Sequence, residues 1–177
     1  MLKEGFVFID VESNGFAGET FAVALLVTDN KGNIKKEVTY FCDHMLAQGE
    51  KEWIAEHCYP TFYNNPHMHT QIKLESIEEF NEITRSNILS LLPDHIFVAD
   101  CPHPCESNFF RQINITEHPY PFLDLASMLF TKTFNPLARY ERKENELPYH
   151  HPLSDAYQTK RLFFHIINNE CYNIRVI

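Results

Sequence analysis

Blocks of apolar residues along the chain change period partway, from the even or unbroken runs of strands to the spacing of helices. Gly5 to Asp10 (GFVFID) is a short β-rich run that ends in an acid, and Ser13-Asn14-Gly15 after it has turn chemistry. Thr20 to Thr28 (TFAVALLVT) is apolar almost throughout, the pattern of a strand covered on both faces. Asp29 to Asn33 supplies a tight turn and Ile34 to Cys42 a third strand, so this region predicts an antiparallel meander. Between Asp43 and Leu74 neither period holds, and short helical pieces and loops are expected.

From Ser76 the helical period takes over. Ser76-Ile77-Glu78-Glu79 is a capping box, and Ile77, Phe80, Ile83, Ile88, Leu91 and Leu92 recur at near-helical spacing until Pro93 stops them. Ile96 to Ala99 predicts a fourth strand, Glu106 to Arg111 the start of a helix, and Phe122 to Phe130 a strand-to-helix passage. A last helix runs from about Leu153 to Asn168 and buries Ala156, Leu162, Phe163, Ile166 and Ile167. The sum is an α/β fold: a mixed five-stranded sheet, three antiparallel strands and then parallel additions, flanked by helices. With no repeat or low-complexity segment, residues 1–177 read as a single domain.

Composition adds a constraint on partners. A net charge of −9 excludes a broad basic surface that coats nucleic acid, so contact with a polyanion has to be local or carried by bound cations. The five cysteines form no CxxC pair and read as reduced thiols, while no signal-peptide pattern and no long apolar stretch occur, so a cytoplasmic location without membrane contact is expected. His67 and His69 lack metal-site spacing and read as surface histidines, and Cys101 and Cys105 as buried thiols or loop packing.

Asp10 and Glu12 are two positions apart in a strand, so both carboxylates point to one side and can share hard divalent cations. Alone, that pair is equally well two solvated acids beside a turn. His150 and Asp155 form a second cluster, with four intervening residues, at the head of the last helix. Asp155 can complete a metal site, and His150, titrating near neutral pH, can accept a proton from an attacking water.

Together these residues resemble the DEDD exonucleases of the ribonuclease H-like superfamily, in the DnaQ-like branch with a catalytic histidine. Asp10-Val11-Glu12-Ser13-Asn14-Gly15 is similar to that family's first motif, Asp-x-Glu-Thr-Thr-Gly, and His150 with Asp155 to its third, His-x4-Asp. The tyrosine branch would need Tyr at position 151, which holds His151. The likeness spans residues 6 to 167. The middle motif departs from the pattern: where the family has Asp at a helix start followed by an apolar pair, this chain has Glu106 before Phe109-Phe110, and Asp100 at a strand end competes for the role. Asp124 resembles a further family acid and reads as a helix cap.

The resemblance implies a ribonuclease H-like exonuclease domain using two divalent cations, Mg2+ or Mn2+. Asp10, Glu12, Asp155 and Glu106 (or Asp100) would hold them, with His150 activating water. Gly15 and Phe16 after the first motif, and Arg139 and Arg142 before the third, are the expected substrate contacts, Phe16 by wedging against the terminal base. Lys143, Lys160 and Arg161 read either as further phosphate contacts beside the site or as solvated charges. The expected partners are single-stranded 3′ ends of RNA or DNA, and a homodimer is common among similar small exonucleases. Two alternatives stand: a ribonuclease H-like module that binds ends or a partner protein without cleaving, and a nucleotide hydrolase built on the same acids.

Overall fold

Strand β2 (Thr20–Asp29) is buried at every position but its last, as its unbroken apolar run requires. In the computed structural model, which describes residues 3–16, 18–42, 51–116, 122–133 and 141–168, it pairs antiparallel with β1 (Gly5–Ser13) on one side and with β3 (Ile34–Phe41) on the other. Asp29 closes the β2–β3 turn, its Oδ1 accepting from the amides of Lys31 and Asn33, both at 2.9 Å. Next come α1 (Lys51–His57), α2 (Tyr59–Tyr63), β4 (Gln71–Lys73), α3 (Ile77–Leu91), β5 (His95–Ala99) and α4 (Cys105–Gln112). The chain continues through β6 (Phe122–Asp124), α5 (Leu125–Thr133), a 3-10 turn at Glu144–Glu146 and α6 (Pro152–Ile167).

The sheet order is β4-β3-β2-β1-β5-β6, with β4, β5 and β6 each parallel to its neighbour. This is the expected mixed sheet with six strands in place of five. The extra one, β4, is a three-residue edge strand in the stretch where no period could be read. The capping box is present, Ser76 Oγ accepting from the Glu79 amide at 3.1 Å.

Strand alternation divides the interior in two. Val7, Ile9 and Val11 face the layer that contains Phe80 and Ile88 of α3 and Phe109 and Phe110 of α4. Phe8, with Ala24, Leu26 and Val98, faces Leu125 of α5 and Leu153, Ala156, Leu162 and Phe163 of α6. Asp10 and Glu12 continue the register of Phe6 and Phe8, so they emerge on the α6 side at the end of a central strand.

Candidate metal centre

Three elements deliver the acids. Asp10 and Glu12 end β1, opposite Ala24 and Ala22 of β2, whose small side chains leave room above the sheet beside the carboxylates. Asp155 lies in the first turn of α6, fixed to the sheet by edge-on contacts of Phe163 with Phe6 and Phe8, centroids 4.8 and 5.5 Å apart. One carboxylate oxygen from each of Asp10, Glu12 and Asp155 lies within 4.8 Å of the other two. Glu106 enters from the first turn of α4, only 5% exposed, with its Oε2 buried and lacking a hydrogen-bond partner among the described residues.

Crowding these charges away from water shifts all four. Burial, then the charges of Asp155, Glu12, Glu106 and Asp100, holds Asp10 well above the usual carboxylate range. Burial pushes Glu12 up to about 8, with Asp155 adding to it. Glu106 is likewise pushed to about 8 by burial, with Asp100 adding to it. Asp155 rises only to about 6, because burial is opposed by Arg142 and by the His150 amide hydrogen-bonded to it. A buried, crowded set of carboxylate oxygens fits a divalent cation, which replaces mutual repulsion with shared ligation. Of the acids expected to ligate, Asp10, Glu12 and Asp155 are thus brought together. Of the two candidates for the middle position, Glu106 acts on both Asp10 and Glu12, whereas Asp100 acts on Asp10 and Asp155.

His150 adopts the left-handed conformation, φ 60°, at the turn into α6, and its carbonyl accepts from Thr61 Oγ1 at 3.1 Å. Its ring stands edge-on to Trp53, centroids 4.9 Å apart, and Trp53 in turn stacks on His57. Burial, then the charges of Arg142 and His57, lowers the His150 pKa, leaving the ring neutral at neutral pH. Gly15, at φ 75°, turns the chain after Glu12, and Phe16 beside it is 77% exposed while its carbonyl accepts from Asn108 of α4 at 3.1 Å.

Several placements depart from the reading of the sequence. Arg142 is paired with Asp155, donates from Nη1 to the Glu146 carbonyl at 2.9 Å, and packs over the Tyr149 ring at 4.0 Å. Arg139 lies outside the described residues. Lys160 and Arg161 sit on the face of α6 turned away from Asp155 and line a separate groove with Lys143. His67 is buried, not on the surface: its Nε2 meets the Asn145 carbonyl at 3.0 Å, and its ring stacks on His151 and Tyr157. Of the two readings for Cys101, burial fails, since the residue is exposed, and its thiol instead meets the His103 carbonyl of the same loop at 3.4 Å. Asp124 does cap α5, accepting from the Ser127 amide at 3.2 Å. Two neighbours of the site had no signal in the sequence, the Cys58 thiol, which donates to Glu12 Oε2 at 3.7 Å, and Trp53 beside His150. Both come from the stretch without periodicity, far in sequence from the motifs they touch.

No family model matches the chain, and no curated relative does. Solved structures do match. E. coli exonuclease I in complex with a dA16 oligonucleotide superposes with a TM-score of 0.62 at 13% identity, covering 93% of this chain and 41% of that one. The zinc-bound form of the E. coli exonuclease I–ssDNA complex gives 0.60 at 16% identity, over 93% and 40%. Exonuclease I from Methylocaldum szegediense gives 0.61 at 14%, over 96% and 41%. This chain thus spans about two-fifths of the length of these neighbours. At such identities the likeness is one of fold, and the fold is ribonuclease H-like.

Proposed function

We propose that the protein is a metal-dependent 3′-to-5′ exonuclease that releases nucleoside 5′-monophosphates from single-stranded DNA or RNA. One observation carries this reading: oxygens of Asp10, Glu12 and Asp155 converge within 4.8 Å at a strand end. The unpartnered Glu106 oxygen extends the set, and its charge is felt at two of the three. Asp10, Glu12 and Asp155, with Glu106, would hold the Mg2+ or Mn2+ ions, and Asp100 would orient a ligand or water. Bound there, the ions would offset the charge of the scissile phosphate and stabilise the attacking and leaving oxygens. His150, neutral and half-buried, accepts the proton of the attacking water, and the 3′ oxygen of the penultimate nucleotide departs in line. Phe16 offers an exposed ring against the terminal base. Structurally similar exonucleases bound to single-stranded oligonucleotides support the choice of substrate.

Incubating the purified protein with 5′-labelled single-stranded DNA and RNA and Mn2+ tests this. A descending ladder is expected, abolished by EDTA and by Asp10→Ala. Binding without a ladder favours the non-cleaving module, for which Glu at the middle position and the Arg142–Asp155 pair already argue. Turnover of mononucleotides without dependence on chain length would instead mark a nucleotide hydrolase.

A further inference from the structure

A second concave site lies on the far side of α6. Tyr157, Lys160, Arg161 and Phe164 recur at helical spacing, and at about 100° per residue their stripe is centred roughly opposite Asp155. With Lys31 from the β2–β3 turn and Lys143 from the 3-10 turn, they line a groove of about 430 Å³. Gly32 lets the turn approach closely, since a Cβ there would stand 2.9 Å from the Phe164 ring.

Charge in this groove runs against that of the whole chain, which is −9. Arg161 is satisfied by Glu146, with Nη2 at 2.7 Å from Oε2. That pair leaves Lys31, Lys143 and Lys160, whose ammonium groups meet no carboxylate at ion-pair distance and no hydrogen-bond acceptor among the described residues. Lys160 is half-buried, and the loss of water holds its pKa below the ordinary lysine value although Asp29 opposes this. Asp29 and Glu146 act on Lys160 and Lys143 only at longer range than an ion pair, so an incoming anion would stabilise these ammonium groups further. Lys31 and Lys143, both exposed, and the half-buried Lys160 gather around one hollow and match a multiply charged oxyanion better than a carboxylate, which brings a single charge.

We propose that this groove binds phosphate groups, either of a nucleic-acid strand at a distance from its cleaved end or of a free nucleotide. The groove lies on the opposite face of α6 from Asp155, and phosphate binding there does not require that the acids catalyse cleavage.

The test uses the full chain carrying Asp10→Ala, in EDTA, so that no strand is cut. Inorganic phosphate, a nucleoside 5′-monophosphate and a labelled single-stranded oligonucleotide are titrated into it and into the same protein with Lys143→Gln and Lys160→Gln. Phosphate binding is expected to weaken at least tenfold in the substituted protein, with thermal stability retained. If the ligand is a strand, the slope of log affinity against log salt also becomes shallower by about 1.4, roughly 0.7 for each lysine. If the ligand is a free nucleotide, the monophosphate weakens alongside inorganic phosphate and that slope is unchanged. Phosphate binding that is undetectable at millimolar concentration, or equal in the two proteins, would overturn the proposal.

Discussion

Glu106 buries a carboxylate oxygen that no donor among the described residues reaches, and its replacement separates stability from chemistry. Glu106→Gln removes a charge that burial penalises. In metal-free protein at pH 9 it is expected to stabilise the fold by about 1–3 kcal/mol in chemical denaturation, while slowing any Mn2+-dependent cleavage. Arg142 has the opposite relation to metal. Its guanidinium already pairs with Asp155, so an ion ligated there competes with it. Arg142→Ala is expected to tighten Mn2+ binding roughly tenfold by calorimetry, with Arg142→Lys in between. His150 holds no metal in this account. His150→Ala should therefore keep Mn2+ affinity while cleavage falls by roughly 10²–10⁴-fold, and equal losses in both would make the residue structural.

At the scale of elements, α6 joins the aromatic core to the site. Phe163 locks against Phe6 and Phe8, two turns beyond Asp155. Phe163→Ala is expected to cost about 3–5 kcal/mol in denaturant titration and to weaken metal binding through the position of Asp155, although it touches no ligand. Elements with a strong period were legible in the sequence: β1 to β3, the capped α3, and α6 with its buried stripe. The acids were legible as well, because strand alternation and a helix start constrain where carboxylates point. Segment 43–74 was not, since α1, α2 and β4 are short and held by tertiary contacts, as where Phe62 stacks on Phe41 at 4.7 Å. For the same reason Cys58 and Trp53 were not read as neighbours of the site, nor His67 as buried.

Across the whole molecule, the raised acids make stability depend on pH and metal together. Glu12 and Glu106 hold their protons in the fold up to about pH 8, whereas in the unfolded chain they lose them near pH 4.5. The folded state therefore binds more protons in this window, and stability falls as pH rises through it. His151, depressed by burial to about 3, acts the other way but only below its ordinary value of 6.5, where stability rises with pH. His67 and His150, lowered by burial as well, act in the same sense as His151. The fall set by the acids is therefore clearest toward the upper end of the interval from pH 6.5 to 8. In EDTA the melting temperature is expected to drop over that interval, and saturating Mn2+ to remove most of the drop, because an ion replaces the protons. A flat profile in EDTA would argue against the crowded carboxylates.

The central claim is that Asp10, Glu12 and Asp155, with Glu106, form a divalent-metal centre in a ribonuclease H-like fold. Anomalous diffraction from crystals soaked in Mn2+ tests it most directly. The expected result is an anomalous peak ligated by Asp10, Glu12 and Asp155, with Glu106 turned toward the ions and Arg142 displaced from Asp155. Crystals that bind Mn2+ elsewhere, or not at all, with Arg142 still paired to Asp155, would contradict it.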